Sequence, residues 1–481
     1  NIGTNAKTSL AVSGFYQVIR TGSGSIDIAT GQDVQLLNQF ATIYTAGTQV
    51  ADPTLGGTFD TPIIDFTGGT ANLGGAQQNT PYPVQYSLAG GNVTINAGND
   101  IVHLTRNAAN QLVADSSREL PVNWLYRRGY VDPATGAFGA AKFGDVATTT
   151  WWVDFSNFFE GVGALGGGNV NLSAGRDITN VDAAIPTNAR TPKTSGAALV
   201  ELGGGDLLLR TGRDLSAGVY YVERGHGNIN AGRDIITNGT RSPSLTNLAD
   251  AAPYAKETWL PTTLFVGKSS FEVEARGDLL LGPVSNPFLL PGGYSNSFWY
   301  KTYFSTYSAD AGVEARSLSG DVTLRQTITL PTIGIGGSTP ILQAWLQNVL
   351  LFNAQNTSTA SYYHPWLRLN ESQVAPFSTV SSILPATLKV TAFNGDINLA
   401  GNLTLAPSPN GTLDLFASGG VNGLQIIGST TINNQVTQAW ASSRINVSDA
   451  SPSALPGIAT PFAFQSIGGF VPNVASKSGD L

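Results

Sequence analysis

Five copies of one short pattern constrain this chain more than any other feature. Each copy is an alternating apolar stretch, a small residue, Gly, any residue, Asp and then an aliphatic. They are IDIATGQDV (26–34), VTINAGNDI (93–101), VNLSAGRDI (170–178), LLLRTGRDL (207–215) and the shorter INAGRDI (229–235). The recurring pairs are Gly31 and Asp33, Gly98 and Asp100, Gly175 and Asp177, Gly212 and Asp214, and Gly232 and Asp234. Apolar residues at every second position, such as Val93 and Ile95, mark a strand with one buried face. Gly supplies positive φ where a chain turns sharply, and an Asp side chain accepts backbone N–H groups at turns. The aliphatic after the Asp begins a second strand. Each copy therefore reads as strand, tight corner, strand.

Successive Asp residues are 67, 77, 37 and 20 residues apart. The shortest interval suits one turn of a β-solenoid, and the longer ones suit turns interrupted by insertions or by degenerate copies. Weaker copies follow at 271–282, 313–325, 388–407 and 411–423. One turn buries four to six aliphatic side chains worth about 1.5–3 kcal/mol each. Ordering its residues costs on the order of 1.5 kcal/mol apiece, so a lone turn cannot fold. Stacked turns share a core, and about a dozen would make a rod roughly 60 Å long at strand spacing.

Composition agrees with a β-rich exterior. Charged residues are only 12% while hydrophobic residues reach 41%, and surface helices normally carry many Glu, Lys and Arg. The formal charge is −7 and the cations are scattered. Nucleic acid is therefore not an expected partner, because phosphate binding needs clustered cations. There is no Cys and no Met. The first excludes disulfides and thiolate sites; the second suggests a mature or excised piece of a longer precursor.

The pattern predicts a single domain over 1–449, with insertions at about 38–87, 105–165, 283–310 and 326–387, and a loosely held tail over 450–481. One short helix is expected at 341–355, where ILQAWLQNVLLFNAQ has helical apolar spacing after Pro340. Aromatic rings crowd the insertions. Trp151, Trp152, Phe155, Phe158 and Phe159 form one group; Phe298, Trp299, Tyr300, Tyr303 and Phe304 a second; and Tyr362, Tyr363 and Trp366 a third. Such rings either build a secondary core or form a contact patch for sugar or protein. Trp151, Trp152, Trp299, Tyr300 and Trp366 are the candidate contact residues.

No catalytic constellation stands out. His103, His226 and His364 show no paired spacing, and no GxSxG elbow supports a Ser nucleophile. The recurring Asp residues could act as carboxylate pairs on a glycan or bind Ca²⁺. Their recurrence with Gly fits corner residues better, with Arg176, Arg213 and Arg233 beside them to offset repulsion. The stretches ALGGGNV and ELGGGDL lack the Lys-Ser/Thr of a phosphate loop and read as glycines at corners or strand starts. No metal and no cofactor is expected.

Three long stretches resemble the filamentous haemagglutinin family: GFYQVIRTGSGSIDIATGQDVQLLNQFATIYTAGT (14–48), FEGVGALGGGNVNLSAGRDITNVDAAIPTNAR (159–190) and GGGDLLLRTGRDLSAGVYYVERGHGNINAGRDI (203–235). NWLYRRGYVDPATGAFG also fits a domain of unknown function from the C-terminal region of giant members. The resemblance covers most of 14–325. It implies an all-β, right-handed parallel β-helix exported through an outer-membrane two-partner-secretion transporter to the surface of a Gram-negative bacterium. The expected role is non-enzymatic: a structural or adhesive segment of a large secreted surface protein. Filaments or biofilm matrix formed by self-association, and binding to a glycan or cell-surface receptor, are its expected extensions. The alternative is a β-helix that binds or degrades polysaccharide.

Overall fold

In a computed structural model the chain winds into a parallel β-helix. The structure describes residues 17–37, 41–49, 86–106, 109–114, 124–131, 149–153, 161–190, 199–237, 260–290, 300–329, 338–342, 383–423, 425–432, 435–441, 443–447 and 462–465, with isolated residues and pairs at 51–52, 57–58, 121, 138–139, 155 and 158.

Three sheets run along the coil. The second sheet passes through every described coil. Its nine strands, in order, are Ile26–Thr30, Val93–Ala97, Val170–Ala174, Leu207–Thr211, His226–Ala231, Ser270–Ala275, Gly312–Ser317, Thr387–Ala392 and Leu413–Ala417. All pair in parallel and in register, with Ile28 beside Ile95, Ile95 beside Leu172 and Leu172 beside Leu209. Among the described residues there are nine coils, which at strand spacing span about 43 Å, against about a dozen expected. Every weaker copy in the second half of the sequence is one of these coils. The third sheet begins after each corner and stacks Val34, Ile101, Ile178, Leu215, Ile235, Leu279, Val322, Ile397 and Val421. The first sheet comprises Gln17–Thr21, Ala41–Thr45, Gly161–Ala164, Ala183–Ile185, Val219–Val222, Thr263–Val266 and Val284–Ser285. In the last coils a parallel group of Ile383–Leu384, Leu403–Leu405 and Ile445–Val447 takes its place.

The inward columns form one continuous apolar core from Ile26 to Leu405. Size is matched between coils. Gly227 sits where other coils place a large aliphatic, and the ring of Phe271 in the next coil fills its space; a Cβ at 227 would lie 2.3 Å from that ring.

Burial separates the sheets. Second-sheet strands alternate buried and accessible, so their outer face is bare. First-sheet strands from Ala41–Thr45 onward are buried throughout, because excursions of the chain cover them, whereas the first strand, Gln17–Thr21, is largely exposed. Excursions leave between the first and second sheets, or between the third and first. Among the described residues none leaves between the second and third, where three or four residues always make the turn.

The excursions are narrower than the pattern alone places them. Ala41–Thr45, Gly161–Ala164, Val284–Ser285 and Ile383–Leu384 all belong to the coil, although they fall within the expected insertions at 38–87, 105–165, 283–310 and 326–387. Alternation could not reveal them, since strands buried on both faces do not alternate. One excursion group folds into an antiparallel sheet of Phe138–Gly139, Leu125–Val131, Thr149–Val153, Thr187–Arg190 and Val200–Gly203. Of the expected helix at 341–355 only Ile341 and Leu342 are described; both are helical and buried, and the remainder lies outside the described residues. A separate 3₁₀ turn occurs at Pro287–Leu289. The expected loose tail contains a strand, Phe462–Gln465, paired antiparallel with Tyr300–Tyr303.

Candidate functional site

The corner between the second and third sheets is built by a ladder of side chains to backbone. Asp33 Oδ1 accepts the N–H of Asp100 in the next coil, at 3.3 Å. Asp100 does the same for Asp177, Asp177 for Asp214, and Asp214 for Asp234, at 3.0–3.3 Å. The ladder continues through Asp278, Asp321 and Asp396, at 2.8–3.0 Å. It stops there, because Asp396 receives the N–H of Gly420, which has no side chain to receive another. Each carboxylate thus bridges coils and does not close its own turn.

Arginine grips the same carboxylates from the next coil. Arg176 reaches Asp100 with Nε at 3.2 Å and Nη2 at 2.6 Å, and Arg213 holds Asp177 in the same forked way. Arg233 does so with Asp214. Partial burial alone would raise the Asp177 carboxyl; hydrogen bonds from Arg213 and the Asp214 N–H, with the charges of Arg213 and Arg233, outweigh it and hold it below its ordinary value. The arginine side chains are about half exposed, so each pair contributes modestly.

The corner glycines serve a purpose other than positive φ. Gly31, Gly98, Gly175, Gly212 and Gly232 are not among the glycines with positive φ. They are required by stacking: a Cβ on Gly98, Gly175, Gly212 or Gly232 would lie 2.0–2.3 Å from the carbonyl oxygen of the preceding corner glycine. Left-handed backbone is used at the other edge of the second sheet, at Gly168 and Gly225. There a second ladder runs. Ser25 Oγ accepts the N–H of Asn92, Asn92 Oδ1 that of Asn169, Asn169 Oδ1 that of Asp206, and Asp206 Oδ1 that of His226. Sequence reading placed glycines at this turn but missed the ladder; the signal is a small or polar residue directly after Gly24, Gly91, Gly168, Gly205 and Gly225.

The candidate contact aromatics divide. Trp151 and Trp152 are wholly buried, so they do not form a contact patch. Trp151 packs with Phe288 and Phe304 in a second core between the excursions and the outer face of the first sheet. Tyr300 lies in the strand paired with Phe462–Gln465, while Trp299 and Trp366 lie outside the described residues, as do Phe159, Phe298, Tyr362, Tyr363 and His364. His103 is buried and His226 is exposed beside Asp206, 3.5 Å away.

Beneath the antiparallel excursion lies a polar cluster that sequence reading did not find. Trp151 Nε1 donates to Thr187 Oγ1 at 3.1 Å, which donates to Glu201 Oε1 at 2.7 Å. Lys268 pairs with Glu201 and lies 5.8 Å from the centre of the Trp151 ring. Glu223, wholly buried, accepts from Tyr221 OH at 2.8 Å and sits over Gly267, with Thr306 beside it. Burial and the neighbouring Glu201 charge push the Glu223 carboxyl up to about 8, against the opposing effects of Thr306, Lys268 and Tyr221. A carboxyl that holds its proton at neutral pH is raw material for acid–base chemistry, but a fully enclosed Glu223 offers a glycan no open groove. Its geometry is that of a brace between coil and excursion.

Among the described residues no three His, Asp or Glu side chains are arranged to hold a metal ion. In comparisons with known families, curated proteins and solved structures, nothing matches this chain.

Proposed function

We propose that this chain is a structural and adhesive segment of a large secreted bacterial surface protein of the filamentous-haemagglutinin type. One observation carries the reading: the second-to-third corner runs through nine coils without a single excursion, while the other two edges carry all of them. A spine kept free of interruption gives length and stiffness. Loops gathered elsewhere give variable surface for contact, as loops on rigid scaffolds commonly do. The long stretches quoted from 14–48, 159–190 and 203–235 support the family assignment within this proposal.

On this reading the chain leaves the cell through an outer-membrane transporter and is displayed at the surface. It meets a glycan or a receptor through its excursions, and carries no catalytic centre. Immunogold electron microscopy of intact Gram-negative cells expressing the parent protein tests it. Label on thin surface projections or in extracellular matrix is expected. Label confined to the cytoplasm, or turnover of neutral or acidic glycans by the purified chain, would overturn it.

A further inference from the structure

Arg325 is out of place in this fold. It ends the third-sheet strand Val322–Arg325, pairs with Ala400 in the next coil, and alternates with the inward Val322 and Leu324, so it belongs to the outer face. Outer-face arginines elsewhere in the coil reach solvent or a carboxylate; Arg325 is only 2% exposed. The hairpins Thr327–Thr329 with Ser338–Pro340, and Gln425–Ile432 with Gln435–Ala441, meet beside its strand. Its Nε is buried without a hydrogen-bond partner. Burial alone perturbs the guanidinium, lowering it to about 9, with no neighbouring charge contributing. It is therefore cationic at neutral pH.

The sequence that follows it and the sequence of the second hairpin hold almost nothing to pair with it. Between Gln326 and Leu384 the sequence holds one acidic residue, Glu371, and between Gln425 and Ala441 it holds none. A buried guanidinium without a counter-charge is strongly unfavourable, and a carboxylate is its best planar partner, since two oxygens match two N–H donors.

We propose that Arg325 is a binding site for a small monoanionic carboxylate, free or carried by an acidic sugar, held against the outer face of the third sheet where the two hairpins meet. The single cation sets the charge: one carboxylate neutralises it, whereas a phosphate dianion would leave a buried negative charge. Gln326, buried in the same strand end, donates through Nε2 to the Gly282 carbonyl at 3.3 Å and fixes the backbone beside the site.

The test is thermal unfolding and titration calorimetry of the full 481-residue chain with sodium acetate, sodium glucuronate and sodium phosphate, each matched in ionic strength with sodium chloride. Carboxylate should raise Tm above chloride, phosphate should not, and R325M should remove the carboxylate response. A response to both acetate and glucuronate marks a site for the carboxylate itself; a response to glucuronate alone assigns it to the acidic sugar. Should R325M not fold, the wild-type contrast between carboxylate and chloride decides. E371Q separates an internal partner: if it lowers Tm and creates or strengthens acetate binding, Glu371 fills the place and the proposal fails. It also fails if wild type shows no carboxylate response beyond chloride.

Discussion

Asp177 and Arg213 are joined across a coil boundary, with Nε to Oδ1 at 3.2 Å and Nη2 to Oδ2 at 2.5 Å, while Asp177 Oδ1 also takes the N–H of Asp214. One carboxylate therefore fastens both backbone and side chain of the following turn. The two partners are unequal. Removing Asp177 strands a part-buried N–H, whereas removing Arg213 frees only a half-exposed cation. Asp177→Ala should cost about 1–3 kcal/mol and Arg213→Ala distinctly less, measured by urea unfolding. Equal losses would mean that the ion pair, not the ladder, holds the corner. Because the Asp177 carboxyl is held below its ordinary value, its contribution is present above that value and is lost as pH falls through the lower folded one.

Gly175 and Gly31 occupy equivalent corners with opposite surroundings. A Cβ at 175 meets the Gly98 carbonyl oxygen at 2.1 Å, and a Cβ at 31 meets nothing within 4 Å. Gly175→Ala should destabilise by about 3 kcal/mol or more through backbone displacement. Gly31→Ala should be neutral or stabilising by about 0.5 kcal/mol through a less flexible unfolded chain. Similar melting shifts for both would refute the stacking explanation.

Glu223 makes stability fall as pH rises. Its carboxyl stands at about 8 in the folded chain against an ordinary 4.5, so between those values the unfolded chain releases a proton that the folded one keeps. The stabilisation is complete below about 4.5 and disappears as pH climbs through about 8, a change on the order of 5 kcal/mol. The facing groups are Tyr221, Glu201, Lys268, Thr306 and Tyr307. Glu223→Gln should flatten this window in denaturant titrations at a series of pH values; an unchanged slope would show that another group governs it.

Trp151→Ala should cost about 3–5 kcal/mol as a core truncation, with the melting point of the whole coil reduced. Unchanged stability with loss of glycan or receptor binding would restore the contact-patch reading for this residue.

How legible this molecule is from sequence depends on what each residue answers to. The corner Asp residues respond to an identical neighbour one coil away, so they repeat and are visible. In later coils the glycine stands directly before the aspartate, as at Gly277 and Asp278 or Gly320 and Asp321, and the pattern blurs although the ladder continues. The second ladder tolerates Ser, Asn or Asp, so Ser25, Asn92, Asn169 and Asp206 do not look alike. Glu201, Glu223 and Lys268 come from different turns and one excursion, and no spacing links them. Their only trace is that charges are scarce in this sequence. The role of Trp151 could not be read either, since a buried ring and a binding ring have the same composition.

The carboxylate series ends at Asp396, and Gly420 passes nothing on. Beyond that point no carboxylate joins the turns among the described residues; strand pairing of Ile445–Val447 against Leu403–Leu405 carries the winding, helped by neutral bonds such as Arg444 N–H to Asn402 Oδ1 at 2.8 Å. In a stack where each turn leans only on its neighbours, opening begins where the fastening is thinnest. The molecule is therefore directional under load: tension should peel it from the turns after Asp396 and spare those around Asp177 and Asp214 until last.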